Sequence, residues 1–453
     1  MTIHELVELQ RRTFSAVNPR PIEERLDQLD QLRSAIGQWE DRICIALQMD
    51  LGKSHEEAYM TEIGMVLSEI SFLLRHLSRW ARPRRVSTPL AQFPSRSYVM
   101  KDPYGVVLIM APWNYPFQLI MNPLAAAIAA GNHCIVKPSA YAPATSQVIA
   151  ELISACFPSE QAAVVQGGRA ENQELLEERF DYIFFTGGVN VGKLVLEKAA
   201  RYVTPVTLEL GGKSPCIVEE SANLSVAARR IAFGKAINSG QTCVAPDYLL
   251  VQERIKDRLL ASIRACWDSF YGDPLSSPHW PKMVNEKHYR RVMGLLGSGQ
   301  IYCGGMGDGQ RIAPTLLTDV RWDSPVMQEE IFGPILPVIT FKTIDEVIPL
   351  INSREKPLAL YLFTRRASVQ EKVLRQVPFG GGCVNDTIIH LASSRLPFGG
   401  VGQSGMGHYH GKYSFDTFTH EKSIVVKGNW LDIPMRYPPY SRKKLNQIRT
   451  FLR

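Results

Sequence analysis

The 453-residue sequence lacks most of what marks a secreted, membrane-spanning or metal-assembled protein. Its eight cysteines, at 44, 134, 156, 216, 243, 266, 303 and 383, are scattered, with no Cys-x-x-Cys pair and no Cys/His cluster at ligand spacing. A disulfide framework and a structural zinc site are thereby excluded, and no metal is expected. No apolar run approaches the roughly 18 residues of a membrane helix. The opening Met1-Thr2-Ile3-His4-Glu5 has no basic-then-apolar leader pattern. We therefore expect a cytoplasmic protein without integral membrane association. Charge of one sign is lacking too: the net +7 is spread among interspersed acids and bases, which favours solubility and points to no nucleic-acid partner. No histidine stands in a context that would activate a nucleophile.

What is present is a globular composition, 45% hydrophobic and 21% charged, on a chain long enough for two or three domains. Apolar positions at Leu26, Leu29, Ile36, Trp39, Ile43 and Leu47 step by helical intervals, and Gly52 follows as a left-handed stop. Ile63, Leu67, Ile70, Leu74 and Leu77 mark a second helix. The periodicity then breaks at Arg82-Pro83-Arg84-Arg85, and residues 81–99 read as an extended connection or arm. From 105 onward short apolar strands alternate with amphipathic helices. Strands are predicted at 106–110, 134–136, 163–165, 182–185 and 206–208, and helices near 118–130, 143–156, 171–179 and 189–201. That alternation implies an α/β fold with a parallel sheet, whose ligands collect outside the carboxyl ends of the strands.

Chemistry-bearing residues fall at those ends. Asn114 follows the first strand in Pro112-Trp113-Asn114-Tyr115-Pro116, Lys137 the second, Gly187 and Gly192 the fourth, and Glu209 closes the fifth. The run Thr186-Gly187-Gly188-Val189-Asn190-Val191-Gly192 is not the Gly-x-Gly-x-x-Gly fingerprint, and such glycines serve close packing about as often as they cradle phosphate. A second α/β region begins with a helix over 224–237, after which Gly240 places Cys243 in a loop. An intracellular cysteine is more often core filler, but the flanking Gln241, Thr242 and Pro246 argue for a cleft instead. A thiol and a carboxylate, Cys243 and Glu209, are the nucleophile and base that oxidation of an aldehyde to an acid requires. The glycine-rich 396–405 stretch has Met406 where a serine-hydrolase elbow at Ser404 would need glycine.

Five motifs taken together resemble the aldehyde dehydrogenase superfamily, and its class 3 branch of fatty and aromatic aldehyde dehydrogenases above all. They are Pro112-Trp113-Asn114-Tyr115-Pro116, Glu209-Leu210-Gly211-Gly212-Lys213, Gly240-Gln241-Thr242-Cys243, Glu329-Glu330-Ile331-Phe332-Gly333-Pro334 and Pro397-Phe398-Gly399-Gly400. The resemblance implies a Rossmann-type parallel-sheet NAD(P)-binding domain over 1–80 and 100–208 and an α/β catalytic domain over 209–412. It also implies a β oligomerisation arm from 81–99 and 413–436, a tail over 437–453, and a homodimer. By the same resemblance, Cys243 attacks an aldehyde to give a thiohemiacetal and then a thioester. Asn114 and the Cys243 N–H hold the oxyanion, and Glu209 activates the hydrolytic water. NAD or NADP would be held by Lys137, Gly187, Gly192, Leu210, Glu330 and Phe332. Asn385 would stand near the nucleophile, with Tyr115 and Phe233 as candidates for an apolar substrate funnel, though core packing suits each of those two equally well.

Ala140 departs from the pattern. NAD-dependent relatives commonly place there a glutamate that repels a 2′-phosphate, so NADP is expected to be accepted alongside NAD, with Lys137 left to meet the phosphate. Three rival readings remain at this point: a coenzyme A-acylating relative, which the presence of Glu209 disfavours; a cysteine hydrolase, which would leave the cofactor motifs without purpose; and a non-enzymatic, crystallin-like protein on the same fold.

Overall fold

A computed structural model describes residues 1–452. The amino-terminal part is helical: α1 (Ile3–Val17), α2 (Ile22–Gln38), α3 (Glu40–Leu51), the short α4 (His55–Ala58), a π-turn over Tyr59–Ile63, and α5 (Gly64–Trp80). The single helix expected from Leu26 to Gly52 is in fact two. Trp39 leaves helical geometry at φ −100°, ψ 8°, and Glu40 and Asp41 open α3 with the acidic first turn that an N-terminus favours. Periodicity misses this break because Ile36 and Ile43, one heptad apart, are buried on both sides of it. The first helix was also unforeseen, although Thr2 and Glu5 form a reciprocal capping box that is legible in the sequence.

The expected arm is a small antiparallel sheet. Strands β1 (Arg84–Val86), β2 (Ser95–Pro103) and, from the far end of the chain, β16 (Thr419–Lys427) pair in the order β1-β2-β16, with Thr419 opposite Pro103 and Lys427 opposite Ser95.

Next come β3 (Val106–Met110), β4 (His133–Lys137), β5 (Ala162–Val164), β6 (Tyr182–Thr186) and β7 (Val206–Glu209). They are linked by α6 (Gln118–Ala130), α7 (Pro143–Cys156), α8 (Arg169–Glu177) and α9 (Val189–Ala200). β3, β4 and β6 are buried at every position, as strands covered on both faces must be. Their order is β7-β6-β3-β4-β5, all parallel, so the winding reverses beside β3. The crevice between the carboxyl ends of β3 and β6 is therefore the topological switch point where such sheets bind ligands.

A second sheet contains β8 (Pro215–Val218), β9 (Tyr248–Gln252), β10 (Gln300–Cys303), β11 (Thr315–Thr318), β12 (Ile335–Phe341), β13 (Ala359–Phe363) and β14 (Gly381–Val384). Its order is β10-β11-β12-β9-β8-β13-β14, parallel except for β10, and α10 (Leu224–Ala236) follows β8. The two parallel sheets are tied together twice. One apolar cluster includes Ile109 and Phe184 from the first and Cys216, Leu249 and Tyr361 from the second. In addition, β15 (Gly405–Met406) returns to pair antiparallel with β7, setting Gly405 opposite Glu209. Among the described residues no helix is long and apolar enough to cross a membrane.

Candidate active site

The loop that carries Cys243 is held in an unfavourable backbone conformation by its neighbours. Three successive residues, Asn238, Ser239 and Gly240, have φ of 51°, 52° and 70°. Left-handed geometry costs about 1–3 kcal/mol at a non-glycine residue, so it persists only where the surroundings impose it. Here they do. Glu57 Oε1 accepts the Asn238 N–H at 2.8 Å, Ser239 Oγ donates to the Pro281 carbonyl at 2.7 Å, and Gln241 Nε2 donates to the Asn238 and Lys282 carbonyls at 3.0 Å each. Gly240 admits no side chain, since a Cβ there would run into the Gly333 carbonyl.

This loop presents Cys243 to a cavity of about 820 Å³ between the two parallel sheets, also lined by Asn114, Tyr115, Glu209, Leu210, Phe233, Glu330 and Phe332. Sequence positions up to 218 residues apart thus meet in one cavity, as their motifs suggested. Burial, then the charges of Glu330 and Glu209, pushes the thiol up to about 12, although the N–H groups of Cys243 and Val244 beside the sulfur pull the other way. Glu209 ends β7 only 3% exposed, and neither carboxylate oxygen has a hydrogen-bond partner. Burial alone holds its carboxyl well above the usual carboxylate range. Asn114 donates from Nδ2 to the Gln241 carbonyl at 3.1 Å and leaves Oδ1 unpaired. Tyr115 is buried in the core, lines the cavity, and lies 2.5 Å through its hydroxyl from Thr242 Oγ1, next to Cys243. Phe233 is the more open of the pair at 36% exposure.

On the side nearer β6, Glu330 packs its carboxylate against Gly211, where any Cβ would collide with it. Burial and the Asp247 charge raise Glu330 to about 8, against the pull of the Gly212 N–H, Lys213 and Arg291. Phe332, at φ 49°, meets Trp113 edge to face at 5.3 Å. Gly187 sits where a Cβ would lie 2.5 Å from the Phe185 ring. Gly192 is not on the cavity wall. It lies inside α9, with Leu210 Cδ2 only 2.7 Å from where its Cβ would be, so its smallness serves helix-to-strand packing.

One further expectation needs correction. Lys137, at the end of β4, is outside the cavity lining and is not free for a phosphate: Nζ donates to the Pro138 and Gly167 carbonyls at 2.8 and 2.7 Å. Burial lowers its pKa, while the charge of Glu171, an acid from a different segment than position 140, raises it. Asn385 directs its Oδ1 to the Thr364 N–H at 3.0 Å and does not line the cavity. Ser404 Oγ, as expected for a structural serine, is engaged at 2.9 Å with both the N–H and the carbonyl of Val401.

Several lining residues carried no assigned role in the sequence: Met60 inside the π-turn and Met65 just after it, Thr186, His288, Ile388, Ile389, Tyr409 and His410. Only Thr186, beside the glycine turn, had a local signal. The others come from segments whose text reads as ordinary helix or loop.

Comparison with known proteins agrees with this geometry. Residues 1–424 match the model of the aldehyde dehydrogenase family. The chain is 50% identical over 445 residues to 4,4'-diaponeurosporen-aldehyde dehydrogenase of Staphylococcus aureus, covering 97% of each chain. It is 45% identical over 443 residues to aldehyde dehydrogenase family 3 member B1 of Mus musculus, covering 97% of this chain and 95% of the relative. A solved structure of Staphylococcus aureus AldH in a substrate-bound state superposes with a TM-score of 0.98 at 48% identity, covering 100% of both chains. The chain belongs to the aldehyde dehydrogenase family, on its class 3 branch, and is an NAD(P)-dependent enzyme that oxidises aldehydes.

Proposed function

We propose that the enzyme converts medium- or long-chain and aromatic aldehydes to carboxylic acids, with Cys243 as nucleophile, Asn114 as oxyanion donor and Glu209 as base. The observation that carries this reading is Glu209: a buried carboxylate without a single hydrogen-bond partner, on the wall of the cavity that holds Cys243. A structural carboxylate at such depth would be paired. The apolar lining from Met60, Met65, Leu119, Phe233, Ile237 and Ile389 suits a hydrophobic aldehyde, and a relative that acts on 4,4'-diaponeurosporen-aldehyde accords with it.

The dinucleotide fits the residues present. Thr186 Oγ1 is buried and unpaired, Gly187 lines the cavity, and the first turn of α9, with Val189 and Asn190, lines the cavity with N–H groups that no helix carbonyl satisfies. Glu330 would hold the nicotinamide ribose, Phe332 would pack at the nicotinamide, Leu210 would face the cofactor, and the remaining ammonium hydrogen of Lys137 would meet the adenosine ribose. The nicotinamide, when bound, accepts hydride.

The chain supplies the rest. Cys243 gives up its proton to solvent and adds as the thiolate to the aldehyde carbon, and the oxyanion is received by the second Asn114 amide hydrogen and the Cys243 N–H, donors worth roughly 3–4 kcal/mol apiece when aimed at developing charge. Loss of hydride leaves a thioester on Cys243. Glu209 then takes a proton from water, the hydroxide adds to the thioester, and the acid departs as the thiol is restored.

The domains we assign are a cofactor domain over 1–80 and 100–208, a catalytic domain over 209–412, and an arm from 81–99 and 413–436; the separate sheets built from β3–β7, from β8–β14 and from β1, β2 and β16 support this division, with β15 crossing from the catalytic segment into the first sheet. The open edge of β16, with Val425 and Val426 exposed, supports a homodimer joined through the arm. Eight unpaired cysteines accord with a cytoplasmic location. The decisive experiment is NADH formation across aldehydes of graded chain length, with product analysis. Carboxylic acid release without coenzyme A supports the reading; no turnover of any hydrophobic aldehyde would defeat it.

A further inference from the structure

Beneath the cavity lies a set of charged groups that the chemistry above does not use. Lys53 and Glu62 are both fully buried, with Nζ donating to Glu62 Oε1 at 2.6 Å. The same ammonium donates to the Asn114 backbone carbonyl at 3.2 Å and stands 4.1 Å from the Tyr115 ring centroid. The other Glu62 oxygen accepts the N–H groups of Phe117 and Gln118 at 3.0 and 2.9 Å. The pair therefore grips the whole Asn114-to-Gln118 turn from below. From the far side, Asn238 Nδ2 donates to that same Asn114 carbonyl at 2.7 Å and to the Gln241 carbonyl at 3.1 Å. Two loops from opposite sheets are thus pinned at one carbonyl oxygen, and the side chain of the residue that owns it is the oxyanion donor.

An apolar pair of similar volume would fill this space without the cost of burying two ions, so fold stability alone does not account for it. Position does. An oxyanion donor misplaced by an ångström loses most of its effect. We propose that Lys53, clamped by Glu62, is a positioning residue for aldehyde oxidation: it fixes the Asn114 carbonyl and the Tyr115 ring, and through them the register between the Asn114 amide and the Cys243 loop. The proposal rests on the reading of Asn114 as oxyanion donor.

The test is a double-mutant cycle. Lys53→Met combined with Glu62→Gln removes the ammonium together with the carboxylate bonded to it, and leaves an acceptor for the Phe117 and Gln118 N–H groups; Glu57, whose charge Lys53 also offsets, then keeps its proton to higher pH. In the otherwise native full-length enzyme we expect kcat to fall about 10- to 100-fold, the scale of small misalignments. NAD affinity and the rate of Cys243 alkylation by iodoacetamide, a reaction that builds no oxyanion, should stay within about twofold. In an Asn114→Ala background the same change should cost less than about threefold more, because partners acting through one group are not additive. Loss of the full factor again in that background, or native kcat in the Lys53/Glu62 variant, overturns the proposal. Full activity in Asn114→Ala alone overturns the oxyanion reading beneath it. Should the paired variant not fold, Lys53→Arg keeps the charge while shifting the donor: lowered kcat at unchanged melting temperature supports the role, and unchanged kcat removes it.

Discussion

The Asn114 side-chain amide donates to the backbone carbonyl of Gln241 at 3.1 Å, two residues ahead of Cys243. The amide is thereby fixed in rotation by the nucleophile's own loop, with its second hydrogen unclaimed by any protein acceptor among the described residues. Asn114→Ala should lower kcat/KM by about a hundred- to a thousandfold, the usual effect of deleting one oxyanion donor. Affinity for NAD, measured by fluorescence titration, should not change.

In the proposed mechanism Cys243 and Glu209 serve successive stages of the reaction. Cys243→Ala is expected to abolish NADH formation. Glu209→Gln should leave the first turnover and slow the second stage, giving a stopped-flow burst near one NADH per active site followed by a slow steady rate. Wild-type turnover in Cys243→Ala would sink the assignment.

The raised carboxyls set opposite trends for activity and stability with pH. Cys243 is pushed up to about 12 and Glu209 is held well above its ordinary range, so the thiolate and carboxylate that the proposed mechanism uses become populated as pH rises. The rate should climb from neutral into alkaline pH, without a metal requirement. Stability should run the other way. Glu57, desolvated despite Lys53 nearby, is raised to about 7, and Glu330 to about 8, so the folded state holds protons that the unfolded state releases near 4.5. Their contribution is fully present below the unfolded value and is lost as pH rises through 7 and 8. Differential scanning fluorimetry should show the melting temperature falling between pH 5 and 9, and Glu330→Gln should flatten that slope. A melting temperature that rises over the interval would contradict the assigned carboxyls.

Cofactor choice is open to a direct test. Ala140 is exposed and brings no acid to the turn after β4, while Glu171 caps Gly168 at 2.6 Å and its charge is felt by Lys137. We expect discrimination against NADP of less than about a hundredfold in kcat/KM, since more would require a repulsion of roughly 2.7 kcal/mol. Ala140→Glu should weaken NADP use, and Glu171→Gln should improve it. Strict NAD dependence of the native enzyme, or NADP use undiminished by Ala140→Glu, would place the 2′ determinant elsewhere.

Local pattern carried the strand-and-helix skeleton of the α/β regions. The predicted helix ends at 130 and 156 coincide with those of α6 and α7, because Gly131 supplies a left-handed stop at φ 94° and Phe157 turns the chain into extended geometry. Pattern failed at Trp39, where two helices in line keep the same buried face, and it passed over α1, whose capping box went unread. At the site, the convergence of Cys243, Glu209 and Asn114 on one cavity was legible because each stands at the end of an element or in a loop. Gly192 was not legible in the same way, since a glycine packed under Leu210 is spelled the same as one that lines a cavity.

By itself the sequence determined the family and the class of chemistry, and it singled out the thiol, carboxylate and amide to which the proposed mechanism assigns roles, since these are properties of residue type at the ends of predictable elements. Tertiary structure alone decided the rest. The left-handed run at Asn238 to Gly240 exists only because Glu57, Pro281 and Lys282 hold it. The Lys137 ammonium is held by the Gly167 carbonyl from a separate loop as well as by that of its neighbour Pro138, and the pKa of Glu209 is set by burial that no local window contains. Each of these depends on atoms brought together from distant parts of the chain, and desolvation and hydrogen-bond geometry are properties of that assembled environment rather than of any segment within it.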